Sequence, residues 1–265
     1  MRASLVFRLA VLGSVAGVAF AGNTPPRVPR NPVALSRGAD SMANVKGGAD
    51  LEREWNLRLI DADRKLQAGK WAHAERITTS LQREMSAWFG AGGSVGPLLA
   101  MATTERALAA AGQGRQAEAE WHWFTAQNLA GDFRTVSLAA YGEPGRKLTG
   151  VRLSADLESA ARADLAGLGT AAKPRKIAGG APRYPAALAP ACANGHVVVS
   201  VRLDEKGSAA QPVVLEAAGG PLMALAALEA LRGWRFEPAR TAGRPVASRA
   251  VVAVDVEPPR HCRHS

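Results

Sequence analysis

His196-Val197-Val198-Val199-Ser200-Val201-Arg202-Leu203-Asp204 is the stretch that decides the fold. Val197, Val199, Val201 and Leu203 fall on one side, and His196, Ser200, Arg202 and Asp204 on the other. Period-two alternation is the signature of a half-buried strand. Asp204-Glu205-Lys206-Gly207 reads as the turn that ends it. A second strand runs from Pro212 to Ala217, with Val213 and Leu215 on one face. Gly219-Gly220-Pro221 then opens a helix reaching about Arg232, because proline is tolerated in a first helical turn. Its leucines, Leu222, Leu225, Leu228 and Leu231, are three apart, so they drift around the axis instead of forming one stripe. That helix is apolar over most of its circumference, and a single sheet face does not cover it. Alternation returns at Trp234-Arg235-Phe236-Glu237, and Ala250 to Val256 is the last strand before Pro258 and Pro259.

Upstream the period changes to that of helices. Leu51, Trp55, Leu59, Ala62 and Leu66 predict a first helix, broken by Gly69. Trp71, Ala74, Ile77, Leu81 and Met85 predict a second, followed by a loop over Gly90–Gly96. Pro97 opens a third through Leu98, Met101, Leu108 and Ala111, and Gly112 and Gly114 end it. Ala117, Trp121, Phe124 and Leu129 predict a fourth, with Trp121, Trp123 and Phe124 read as core. Val151 to Leu168 predicts one more helix. Gly69-Lys70-Trp71-Ala72-His73-Ala74-Glu75 is echoed by Gly114-Arg115-Gln116-Ala117-Glu118-Ala119-Glu120, both at a helix–helix turn. These turns resemble those of tetratricopeptide repeats, which implies a peptide-binding groove; two units alone suit a plain helical packing domain better.

The C-terminal elements resemble the C-terminal domain of TonB-type energy transducers. The resemblance is carried in order by Tyr184-Pro185, Gly195, Val197-Val198-Val199, Leu203-Asp204 and Gly207, then by Trp234-Arg235-Phe236-Glu237-Pro238-Ala239, Gly243, Pro245 and Val246. It implies a three-stranded antiparallel sheet packed by a helix on one face. The fold class is therefore α+β, a helical-hairpin region followed by this small domain. The resemblance also implies a function: an extended peptide, from an outer-membrane receptor or another envelope protein, pairs with the last strand. That edge is Ser248 to Val256, with Arg249, Val251, Ala253 and Asp255 directed away from the core. A homodimer through the sheet edge or the apolar helix is the other partner these surfaces suit. Cys192 lies just before the first strand of the sheet and Cys262 just after the last. If those strands are antiparallel neighbours, a Cys192–Cys262 disulfide is feasible; free thiols or pairing with another chain remain the alternatives.

The N-terminus carries a targeting pattern. Met1-Arg2 is followed by a short apolar run from Leu9 to Ala21, and Ala19-Phe20-Ala21 fits a small-x-small cleavage site. The run is shorter than the ~20 residues that span a bilayer. The expected organisation is a cleaved signal peptide over 1–21, a Pro/Gly-rich linker over 22–48, helices over 49–168, a linker over 169–180, the TonB-like domain over 181–258 and a tail over 259–265. The expected location is the periplasm. The alternative is a membrane-anchored transducer supporting transport across the outer membrane. The sequence departs from that alternative: residues 1–21 contain no histidine, and helices stand where the family has a long Pro-Lys and Pro-Glu spacer.

The net charge is +10, but no run of five like charges occurs, so a nucleic-acid surface is not indicated. No G-x-S-x-G, H-E-x-x-H, Walker or dinucleotide motif is present, so no catalytic or cofactor site is expected. His73 and His122 are read as surface or groove residues. His261-Cys262-Arg263-His264 lacks a visible set of four ligands, so no metal is expected.

Overall fold

The computed structural model describes residues 48–88, 95–166 and 174–264. The expected signal peptide, the linker before residue 48, most of the Gly90–Gly96 loop and residues 167–173 lie outside them. No helix among the described residues is long and apolar enough to cross a membrane.

The first four helices are α1 (Gly48–Gln67), α2 (Trp71–Ala87), α3 (Val95–Gly112) and α4 (Gln116–Leu129). The turns α1–α2 and α3–α4 share one hydrogen-bond pattern. Lys70 N–H donates to Lys65 O at 2.8 Å and Arg115 N–H to Ala110 O at 2.9 Å, while Gly69 and Gly114 take φ of +70° and +76°. This is a left-handed helix cap, which only glycine adopts at little cost. Ala74 and Ala119, five residues past each glycine, are fully buried and let the paired helices approach. Arg115 ties the turns together by reaching Glu75 at 2.6 Å.

Beyond α4 come α5 (Gly142–Thr149) and α6 (Ala155–Ala166). Helix α6 begins at Ala155 rather than Val151. Ser154 Oγ accepts the Leu157 N–H, and Leu153 N–H is drawn to the Gln127 side chain at 2.9 Å, which holds residues 151–154 out of the helix.

The C-terminal part contains β1 (Lys176–Ala178), β2 (Gly195–Leu203), β3 (Ala209–Ala218), α7 (Gly220–Arg232), β4 (Arg235–Phe236), β5 (Ala239–Thr241), β6 (Arg244–Val246) and β7 (Ser248–Val256). The main sheet is antiparallel in the order β3-β2-β7. Strand β1 falls where the sequence suggests linker. It pairs with β4, and Trp234 fastens it: the indole N–H donates to Gly180 O at 2.8 Å, and the Lys176 ammonium lies 3.9 Å from the ring centroid.

The sheet is covered on both faces, whereas the resemblance implied a helix on one. Val197, Val199, Val201 and Leu203 pack with Val252, Val254 and Val256 against Met223, Ala227, Leu228 and Leu231 of α7. The opposite face meets α6, where Val213 joins Phe124, Leu153 and Ala161. The other side of α7 is covered too, since Ala224 and Leu225 belong to the core of α1–α5. Helix α7 keeps only a half-buried strip at Leu222, Ala226 and Ala230, so little of its apolar surface is left for the expected homodimer through that helix. Helix α4 joins the parts: Trp121, Trp123 and Phe124 are all buried, each in a different apolar cluster.

Candidate functional site

Strand β7 pairs with β2 in unbroken register, from Gly195 opposite Val256 to Leu203 opposite Ser248. Its other side meets no strand among the described residues. An unpaired edge presents backbone N–H and C=O groups to any extended chain that can match them.

The second edge is treated differently. Asn128 on α4 reaches β3, where its amide donates to Pro212 O and its carbonyl oxygen accepts the Val214 N–H, each at 2.8 Å. The carboxamide thus supplies one donor and one acceptor, as a neighbouring strand would, and occupies the middle of that edge. We expect Asn128→Ala to cost about 2 kcal/mol through the two orphaned backbone groups. It should also raise self-association in sedimentation runs, because a second edge opens.

The four residues assigned to the β7 edge separate into two pairs. Ala253 and Asp255 are exposed, and Asp255 lies 2.7 Å from His196 Nδ1 across the strands. Val251 is only 7% exposed, and Arg249 is held by Asp164 of α6 at 2.6 Å and by Ser200 Oγ at 2.7 Å. All four lie on the face opposite Val252, Val254 and Val256, but α6 covers the half at Arg249 and Val251. The accessible part of that face is therefore the half at Ala253 and Asp255.

The residues that carry the resemblance have structural roles. Tyr184 Oη donates toward Ala193 O at 2.8 Å and Leu188 O at 3.0 Å, pinning the short 3-10 turn that follows Pro185. Gly195 lies against Met223. Gly207 has φ +75°, and a Cβ there would fall 1.8 Å from Phe236 O. Phe236 N–H donates to Gly207 O at 2.9 Å, and Arg235 bridges to Ser208, so this turn is welded to β4. The 239–246 hairpin begins directly after Pro238. The sulfurs of Cys192 and Cys262 are 2.09 Å apart, with 5.5 Å between the Cα atoms. His261 stands beside that bridge, but neither sulfur is a free thiolate while the bridge is intact.

Two groups in the helical part are electrostatically unusual. His122 is 1% exposed, unlike the surface or groove residue its sequence suggested. Burial lowers its pKa and keeps it neutral despite Glu118 at 3.5 Å from Nε2 and Glu229 at 3.9 Å from Nδ1. Glu118 is held down at about 2, first by the His122 N–H and then by Arg115 and Arg232, against the opposing effect of its own partial burial. Its stabilising contribution is present above the ordinary carboxylate range and is lost as pH falls toward 2.

Glu105 is the opposite case. It is fully buried, neither carboxyl oxygen has a hydrogen-bond partner among the described residues, and desolvation with Asp63 nearby raises its pKa well above the usual value. The folded state binds that proton more tightly than the unfolded chain. The contribution of Glu105 to stability is therefore greatest below about pH 4.5 and is lost as pH rises through its folded-state pKa, opposite in sign to that of Glu118. We expect Glu105→Met to stabilise the protein by about 1–3 kcal/mol at pH 8, with less gain at pH 4.5, in urea titrations at both pH values. Glu105 is sealed in the core, so no substrate reaches it.

Comparison with known proteins places the C-terminal part. Residues 180–255 match the family model for the Gram-negative bacterial TonB protein C-terminal. No curated protein matches the chain. The C-terminal domain is thus a TonB-type domain, a protein-interaction domain of the cell envelope associated with TonB-dependent transport.

Proposed function

We propose that this protein is a periplasmic binding protein, not an enzyme, whose TonB-type domain captures one extended peptide along β7 by strand addition. The observation that carries this reading is the inequality of the two sheet edges. The β3 edge is plugged by Asn128, whereas the outer edge of the nine-residue β7 meets no strand among the described residues. Backbone pairing supplies affinity, and the exposed Ala253 and Asp255 supply selectivity. Asp255 favours a peptide that places a cationic or hydrogen-bond-donating side chain beside it. An outer-membrane receptor segment or another envelope protein is the expected partner. The disulfide between the segment before β2 and the turn after β7 suits an oxidising compartment.

The test is amide hydrogen exchange on protein recovered from the periplasmic fraction, with and without extended peptides from outer-membrane receptors. Alternate amides of Ser248–Val256 should gain protection on binding, because only every second N–H of an edge strand faces outward. Protection confined to other segments, or no binding, would overturn strand addition. Recovery of the chain only in inner membranes, starting at Met1, would favour an anchored transducer instead.

A further inference from the structure

A cleft opens where the helical part meets the TonB-type domain. It encloses about 430 Å³ between α2, the Ala181–Ala186 segment and α7. Its floor is a stripe at helical spacing on α7, Leu222, Ala226 and Ala230, half-buried: Leu222 leans on the helical core and Ala226 and Ala230 on the core of the sheet, and the rest of each borders the cleft. The volume is within the ~300–1,000 Å³ typical of small-molecule sites.

The charges around this floor are unequal. Arg106 and Glu229 pair with each other at 3.1 Å at one end. Arg83 on α2 and Arg183 before β2 both line the cleft, both are exposed, and among the described residues neither has a hydrogen-bond or ion-pair partner. An apolar trough bordered by two uncommitted guanidinium groups matches a molecule with one anionic head and an apolar body. A peptide backbone fits less well, since its N–H and C=O groups would meet leucine and alanine. The chain's own residues 22–47 are also disfavoured, carrying Arg27, Arg30, Arg37 and Lys46 against a single Asp40.

We propose that this cleft binds a single-headed anionic amphiphile, its alkyl chain along Leu222, Ala226 and Ala230 and its carboxylate or phosphate between Arg83 and Arg183. The site is separate from β7 and does not depend on the peptide-binding reading.

The test is calorimetric titration of the full chain with dodecanoate and dodecyl phosphate below their micelle concentrations, with dodecylamine as the cationic control. A carboxylate source predicts that dodecanoate binds more tightly, and a phosphate source that dodecyl phosphate does. The expected result is saturable one-to-one binding of at least one anion. Arg83→Glu and Arg183→Glu should each weaken it about tenfold without changing thermal stability, since both side chains are exposed. Ala226→Trp should abolish it by filling the trough, while peptide-induced protection along Ser248–Val256 persists. The proposal is overturned if no anion saturates below millimolar concentration, if dodecylamine binds equally well, if the charge reversals change nothing, or if an acidic peptide binds where the amphiphiles do not.

Discussion

The Cys192→Ser/Cys262→Ser protein is expected to lose about 4 kcal/mol of stability relative to the oxidised parent. The bridge spans 70 residues, and closing a loop of that length removes about this much chain entropy from the unfolded state. It joins the segment before β2 to the turn after β7, next to the Gly195–Val256 pair. Serine is the right replacement at Cys192 because that residue sits in the left-handed region at φ +48°. Glycine there would relieve backbone strain and mask part of the loss. Urea unfolding of the double variant should coincide with that of the reduced parent. A difference below about 1 kcal/mol between oxidised and reduced protein would mean that other contacts already restrain the unfolded or folded ends. The consequence for function is local: Val256 ends the open edge, and releasing Cys262 should speed amide exchange there first.

The elements were legible where local chemistry dictates them. Gly69 and Gly114 mark turns because glycine adopts those positive φ angles at the least cost, and the alternation from Val197 to Leu203 marks a strand because the covered face must be apolar. The spacing of Leu222, Leu225, Leu228 and Leu231 also signalled that α7 needs cover on more than one side. What covers it was not readable, since that depends on how α3 and α4 dock. Arg249 reads as a solvent residue until Asp164, 85 residues earlier, is brought beside it. Asn128 is a single polar residue at the end of a helix, and its partners lie 84 and 86 residues away. Plugging of the β3 edge, and hence the identity of the free edge, is a tertiary fact without a local pattern.

Trp121→Ala is expected to cost about 3–5 kcal/mol and to destabilise both parts of the protein together. Trp121 lies on α4 but packs with Val197, Leu228, Trp234 and Val254 in the core of the TonB-type domain. In return, α7 sends Ala224 and Leu225 into the helical core. Such reciprocal burial makes one cooperative unit, whereas a flexible tether between domains would leave two independent ones. The indole N–H has no partner among the described residues, so the loss comes from apolar contact and cavity formation rather than a broken hydrogen bond. Native-state hydrogen exchange should therefore show β2 and the buried turns of α3 losing protection by similar amounts. Loss confined to β2 and β7 would show that the domain unfolds alone. In that case the helices act only as a plug for one sheet edge, and a strand captured on β7 would not stabilise them. If protection falls in both, peptide binding at β7 should raise protection in α1–α4 as well, and the helical part would sense occupancy of the edge through the shared core.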